Sequence, residues 1–219
     1  MLKLYNFRSL GNELSLCRAK RIIETGEFWC SRFWDMNDPM EGVYLTRSGQ
    51  DQGLFTNQIN AKKKARVICS FSGPTAFKNP IMWDYYANGF KGIAIEIEVE
   101  AGKIKDVKYE ETLQSLSGGE GDYAVDVNEI LRTKLDVWKH EEEFRYITER
   151  DIGNCRIGTI TAVYFGSPYS NVDNAKEIQE QAEPLKVYRR RAKELAKVIE
   201  ARGIKHCEVQ VNDNGSPPN

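Results

Sequence analysis

Between Gly92 and Val99 apolar and polar positions alternate, with Ile93, Ile95, Ile97 and Val99 on one face and Ala94, Glu96 and Glu98 on the other. Period-two alternation predicts a strand with one wet face in a largely antiparallel sheet. Leu2 to Phe7 alternates more briefly and reads as an opening strand. Leu10, Leu14, Cys17, Ile22 and Ile23 recur at helical spacing until Gly26 stops the run. Glu27 to Arg32 reads as a second strand, Asp51 to Ala65 as a polar surface helix, and Ala65 to Ser72 as a β-branched and aromatic strand bounded by Gly73-Pro74. Asn79 is placed to cap a short helix with Pro80 at its first position.

Further along, Lys105 to Glu110 is a weaker strand and Ser115 to Gly121 a glycine-rich loop. Val127, Ile130, Leu131, Leu135 and Trp138 share one helical face. Glu143 to Thr148, Thr159 to Phe165 and Lys205 to Val211 read as strands. Residues 173–202 are helical in pattern but divided by Pro184, which cannot sit inside a helix without breaking its ladder. The second piece carries a stripe of Leu185, Tyr188, Ala192, Leu195 and Ile199, which must be covered by the domain itself or by another chain, in a homo-oligomer for instance. The division is therefore 1–172 as an α+β domain, 173–211 as C-terminal helices with a last strand, packed on that domain or accessory to it, and 212–219 as a polar tail.

Composition narrows the function classes. The 219 residues carry 31 basic and 32 acidic side chains, a net charge of -1 that does not suit a protein gripping nucleic acid through bulk charge. Lys62-Lys63-Lys64 reads first as a solvated face, and Arg189-Arg190-Arg191 as a patch for an acidic partner or a phosphate backbone. Five scattered cysteines without a CxxC pair point to a reducing cytoplasm rather than to disulfides or zinc. Two distant histidines leave little for a metal site or a metal- or histidine-dependent hydrolase, so no metal is expected. No apolar run is long enough to span a bilayer, so no membrane partner is expected.

Three clusters place polar or aromatic residues where packing alone does not ask for them. Asn37-Asp38-Pro39-Met40-Glu41 is a side-chain-stabilised turn, or a rigid loop with Asn37 or Asp38 on a ligand. Met82, Tyr85 and Tyr86 stand at i, i+3, i+4, either as core or as an aromatic wall for a flat ring. If a strand starts near Glu141, then Glu141, Glu143 and Arg145 share one face while Glu142, Phe144 and Tyr146 share the other. The charged face is then either a pairing across a wet sheet or a catalytic carboxylate, Glu143, held by Arg145.

These clusters resemble the bacterial domain of unknown function 2971 family. Its FNDPFE-like loop, CSFS-like strand, MWxxYA helix and WxxExEyR segment correspond in order to Met36 through Glu41, Cys69 through Ser72, Met82 through Ala87, and Trp138 through Arg145. The match spans about residues 2–166, with methionine at both phenylalanine positions of the loop. A second similarity is to the NAD-dependent ADP-ribosyltransferases. A basic residue on or after the first strand (Arg8), S-x-S on a strand (Ser70-Phe71-Ser72) and E-x-E at a strand start (Glu141-Glu142-Glu143) follow in that order.

That similarity implies a split, mixed or mostly antiparallel sheet with flanking helices around an NAD-sized cleft. It implies NAD as substrate, Arg8 on the phosphates, Ser70 orienting the nicotinamide ribose, and an aromatic, Tyr85 or Tyr86, stacking; the loop reading adds Asn37 on the rim. Glu143 would stabilise the oxocarbenium-like transition state and Glu141 would address an acceptor, whether protein, nucleic acid or water. The alternative is a non-catalytic ligand- or partner-binding module of a bacterial stress or phage-defence system.

Overall fold

The computed structural model of the chain describes residues 1–46, 52–116, 125–170 and 175–210. The glycine-rich loop beyond Leu116, the end of the last strand at Val211 and the polar tail lie outside the described residues. β1 (Leu2–Ser9) leads into α1 (Glu13–Thr25), β2 (Phe28–Cys30), β3 (Leu45–Thr46), α2 (Gln52–Lys64) and β4 (Arg66–Ser72). Two short helices follow, α3 (Pro74–Phe77) and α4 (Pro80–Tyr86), and then β5 (Gly92–Val99). After β6 (Lys105–Asp106), β7 (Lys108–Glu110) and β8 (Ser115–Leu116) come α5 (Val127–Ile130), β9 (Thr133–Leu135) and β10 (Glu143–Glu149). The last elements are β11 (Gly153–Cys155), β12 (Thr159–Ser167), α6 (Ala175–Gln181), α7 (Glu183–Ala201) and β13 (Lys205–Gln210).

Local chemistry sets several of these boundaries. The Asn12 side chain accepts from Ser15 N–H at 2.8 Å and starts α1. Gly26 ends it in the left-handed region at φ 68°, a conformation that costs glycine nothing. Asn79 caps α4 by accepting from Ile81 N–H at 3.0 Å, with Pro80 at the first helical position as its sequence requires.

Among the described residues, seven strands form one sheet in the order β13-β12-β5-β1-β4-β10-β6. Neighbours are antiparallel except β12 with β13, so the fold is α+β with a mixed, mostly antiparallel sheet. One face of β5, with Ile93, Ile95, Ile97 and Val99, meets Leu16, Ile22 and Ile23 of α1 and Tyr188, Leu195 and Ile199 of α7. The other face packs under α3 and α4 through Tyr5, Phe7, Ala94, Met82 and Trp83. The apolar stripe of α7 is thus covered by the same domain, and β13 joins the same sheet. Tyr188 Oη donates to the Gly92 and Gly166 carbonyls, fastening α7 across β5 and β12.

The structure departs from the sequence reading at several places in the fold, one of them the Lys62-Lys63-Lys64 run, where Lys63 is not solvated but buried and donates from Nζ to the Gly42 carbonyl at 2.7 Å. The second face of β5 is not wet. Glu96 is buried there, accepting from Tyr5 Oη at 3.2 Å, Tyr164 Oη at 2.9 Å and Thr161 Oγ1 at 2.7 Å, with Lys3 3.3 Å away. A fully hydrogen-bonded carboxylate mimics a solvent-facing one in sequence. The helix expected through Val127 to Trp138 ends at Ile130, because Thr133–Leu135 pairs in parallel with Lys108–Glu110 and a 3-10 turn takes Asp136–Glu141. The strand expected from Lys105 to Glu110 divides into β6 and β7, which pair with different partners. Arg191, third in the basic run, turns inward to Glu13 and to the Leu10 and Gly11 carbonyls.

One junction in the sheet is nearly open. β1 pairs with β5 along all eight of its residues but meets β4 at one register pair, Tyr5 with Ser72. Past it the strands part, and the Asn6 side chain reaches across, donating from Nδ2 to the Ser70 carbonyl at 3.1 Å. Ile68, further along the β4 edge, exchanges backbone hydrogen bonds with Ser31, just beyond β2. A cleft opens where β1 and β4 separate.

Candidate functional site

The cleft has a volume of about 260 Å³. Its walls are β1 from Tyr5 to Arg8, β4 from Ile68 to Ser72, the β2 segment with Trp29 and Ser31, the loop with Asn37, and Met82 and Tyr86 of α4. Lys134, Glu141 and Glu143 close one end. A larger hollow of about 620 Å³ lies between α7 and the β12–β13 edge, but it gathers none of the candidate residues. The smaller cleft holds the convergent buried polar groups that mark a ligand site.

Its acidic end is a network of five charged side chains. Arg145, 1% exposed, forks onto two carboxylates. Its Nε donates to Glu143 Oε1 at 2.8 Å, and its Nη2 donates to Glu143 Oε2 at 2.9 Å and Glu41 Oε2 at 2.7 Å. Its Nη1 donates to Glu41 Oε1 and to the Leu131 carbonyl. Lys134 Nζ bridges Glu141 Oε2 at 2.6 Å and Glu143 Oε2 at 3.1 Å. Tyr86 Oη donates to Glu141 Oε1. All five charged groups are buried, so the network is three carboxylates against two cations in a low-dielectric setting.

The protonation states follow from this geometry. Burial alone would raise the Glu143 carboxyl, but Arg145 and Lys134 outweigh it and hold the group well below the usual carboxylate range. Glu41 moves the other way, because burial exceeds what its share of the Arg145 guanidinium returns. The two carboxylates divide one arginine, and only Glu143 has the additional lysine. Burial, together with the Glu141 carboxylate, raises the Tyr86 hydroxyl, which stays a donor at ordinary pH.

Backbone geometry aims the acidic pair. Glu141 ends the 3-10 turn and Glu143 begins β10, with Glu142 between them in the left-handed region at φ 43°. This conformation is costly for a residue with a Cβ, so the surroundings must enforce it. They do so through the Glu142 side chain, whose Oε2 accepts from Thr75 N–H at 2.6 Å and Ala76 N–H at 3.1 Å. Glycine at position 73 leaves the room this carboxylate occupies. An added Cβ at Gly73 would sit 2.4 Å from the Glu142 carboxyl carbon.

Arg8 lies at the other end of the run. Its Nε donates to Asn6 Oδ1 at 2.7 Å, and among the described residues no carboxylate pairs with it. Burial lowers its proton affinity, though a guanidinium remains charged. Ser70 Oγ is buried without a well-formed hydrogen bond and lies near enough to Glu143 to favour the ionised form. The cleft has two different ends, with the ion-paired carboxylates of Glu141 and Glu143 at one and, among the described residues, a cation without a carboxylate partner at Arg8.

Of the seven residues singled out from the sequence, Arg8, Asn37, Ser70, Tyr86, Glu141 and Glu143 line this cleft. Tyr85 does not. It is 66% exposed, with its ring 6.4 Å from that of His140. α4 is only seven residues long, and its buried side is set by Met82 and Trp83 rather than by the i, i+3, i+4 row. Asp38 caps its own turn, accepting from Met40 N–H at 2.9 Å, as the structural reading of that loop requires. The charged face of β10 is not a wet one, since Glu143 and Arg145 are both buried. Glu41, Lys134 and Trp29 were not singled out as site residues. Glu41 closed the turn motif, Lys134 fell within an expected helix, and neither gave a local signal of ion pairing.

Among the described residues no group of three or more His, Cys, Asp or Glu side chains is placed to hold a metal ion, and no helix is long and apolar enough to cross a membrane. The chain matches no family model, no curated protein and no solved structure.

Proposed function

We propose that the cleft binds a nicotinamide dinucleotide and breaks its nicotinamide–ribose bond, in the manner of an ADP-ribosyltransferase or NAD glycohydrolase. One observation carries this reading. Arg8, the Ser70-Phe71-Ser72 strand and the Glu141/Glu143 pair lie on or beside three neighbouring strands, β1, β4 and β10, and line one cleft where the sheet parts. The resemblance to the ADP-ribosyltransferases orders the same three motifs along the sequence.

Charge supports it independently. A diphosphate suits the unpaired Arg8 guanidinium, and a ribose developing positive charge suits an ionised Glu143 carboxylate. In the bond-breaking step the C1′–N bond opens and its electron pair leaves with neutral nicotinamide. Glu143, held ionised by Arg145 and Lys134, stabilises the cation at C1′ but cannot supply a proton. An acceptor oxygen or nitrogen then adds to C1′ and gives up its proton, with Glu141 the nearby carboxylate to receive it. Tyr86 forms the aromatic wall by the nicotinamide.

The decisive experiment is incubation with NAD labelled in the adenylate half, scoring nicotinamide release and label transfer to protein, nucleic acid or water. Release that disappears in Glu143→Gln is the expected result. A second reading, a binding module without turnover, is favoured by the engagement of both Glu143 oxygens by Arg145 and Lys134. NAD binding with no nicotinamide release selects it, and absence of binding overturns both.

A further inference from the structure

We infer that Trp29 is a stacking platform for the purine of the bound dinucleotide, held outside the cleft mouth; this rests on the dinucleotide reading above. The inference starts from size. Pockets that enclose a drug-sized ligand run from about 300 to 1,000 Å³, and this cleft holds about 260 Å³. A cleft of this volume encloses one nucleotide half, and the other must extend past the opening.

Trp29 stands at that opening. It lines the cleft and yet is 54% exposed, although an indole carries a large apolar surface. The flanking Phe28 and Cys30 are fully buried in the main core, so β2 alternates in, out, in. The strand is fixed on both sides. It pairs with β11 through Trp29 opposite Asn154, and the adjoining Ser31 bridges to Ile68 of β4. No ring contact within the protein occupies the indole among the described residues. A half-exposed indole on a backbone held from both sides, lining the same cleft as an unpaired guanidinium, supplies what a base linked to a phosphate requires, a face for stacking and a cation for ion pairing.

The test measures affinities of the full chain for NAD, nicotinamide mononucleotide and AMP by calorimetry, with tryptophan fluorescence alongside. Trp29→Ala is expected to weaken NAD and AMP by about 5- to 150-fold, the range for a lost base–aromatic stack. Nicotinamide mononucleotide, which lacks the purine, stays within about twofold. Trp29→Phe keeps a stacking face and recovers most of the NAD affinity, which separates stacking from misfolding. Unchanged NAD affinity in Trp29→Ala, or equal loss for NAD and the mononucleotide, overturns the inference while leaving the cleft as the NAD site. Trp29-dependent AMP binding without nicotinamide release supports the platform and removes turnover alone. If none of the three nucleotides binds the parent protein, both readings fall.

Discussion

Replacing Arg145 by methionine tests whether the acidic end is held as a unit. The substitution removes every hydrogen bond the guanidinium makes to Glu143, Glu41 and the Leu131 carbonyl. Glu143 keeps Lys134 at 3.1 Å, but Glu41 loses the only cation paired with it among the described residues. Breaking a buried ion pair by removing one partner costs about 3–5 kcal/mol, because the survivor is left desolvated. Whole domains are stable by about 5–15 kcal/mol, so the variant should unfold at clearly lower urea without a large change in the slope of the transition. Adding Glu41→Gln relieves the stranded charge. The double variant should therefore be more stable than additivity predicts, with a coupling of about 1–3 kcal/mol. A loss below about 1 kcal/mol in Arg145→Met, or strict additivity in the cycle, would refute the claim that these charges depend on one another.

Glu143→Gln should abolish nicotinamide release while also lowering the melting temperature, since two buried cations lose a partner worth about 2–3 kcal/mol. Unaltered turnover removes Glu143 from the mechanism. The folded-state carboxyl of Glu143 lies below its unfolded value of about 4.3, so its stabilisation is complete above about pH 5 and fades as the pH falls. Glu41, raised in the fold, contributes with the opposite sign; acid titration of stability should therefore flatten in Glu143→Gln and steepen in Glu41→Gln. Trp83→Ala should cost about 3–5 kcal/mol in denaturant unfolding. The indole is fully buried, donates from Nε1 to the Phe77 carbonyl at 2.8 Å, and stacks on Phe90 at 5.2 Å; a loss under about 1 kcal/mol would contradict that packing.

The regular elements were legible where local chemistry decides them. Asn79-Pro80 started a helix, Gly26 stopped one, and the Ile93 to Val99 alternation was a strand. The environment of that strand was not legible. Alternation reports that Glu96 points away from Ile95, and it is silent on whether water or Tyr5 and Tyr164 await it. The Val127 to Trp138 helix failed for a related reason. Its apolar spacing was sound, but β7 offers β9 a ladder whose existence depends on a segment some twenty-five residues upstream.

The candidate site shows the same boundary. Arg8, Ser70 and the E-x-E pair were readable because each is a short motif on or beside its own strand. Glu41 and Lys134 meet their partners only once the chain is folded; Glu41 is 104 residues from Arg145. Tyr85 and Tyr86 are adjacent and chemically alike, and only the helix phase, fixed by burial of Trp83, separates the exposed ring from the one that reaches Glu141.

The parting of β1 from β4 makes the sheet behave mechanically as a book with two covers. One cover is β13-β12-β5-β1 and the other β4-β10-β6, and one ladder rung with the Asn6 side chain stitches them. The spine is the apolar layer in which Leu4 and Ile95 of one cover share a core with Val67, Cys69 and Phe71 of the other. Spreading the covers on the cleft side breaks few hydrogen bonds, because most of each strand's ladder lies within its own cover. A molecule gripping Arg8 on one cover and the Glu143 end on the other acts as a clasp, so occupancy of the cleft should stiffen the whole sheet along the seam where it is weakest.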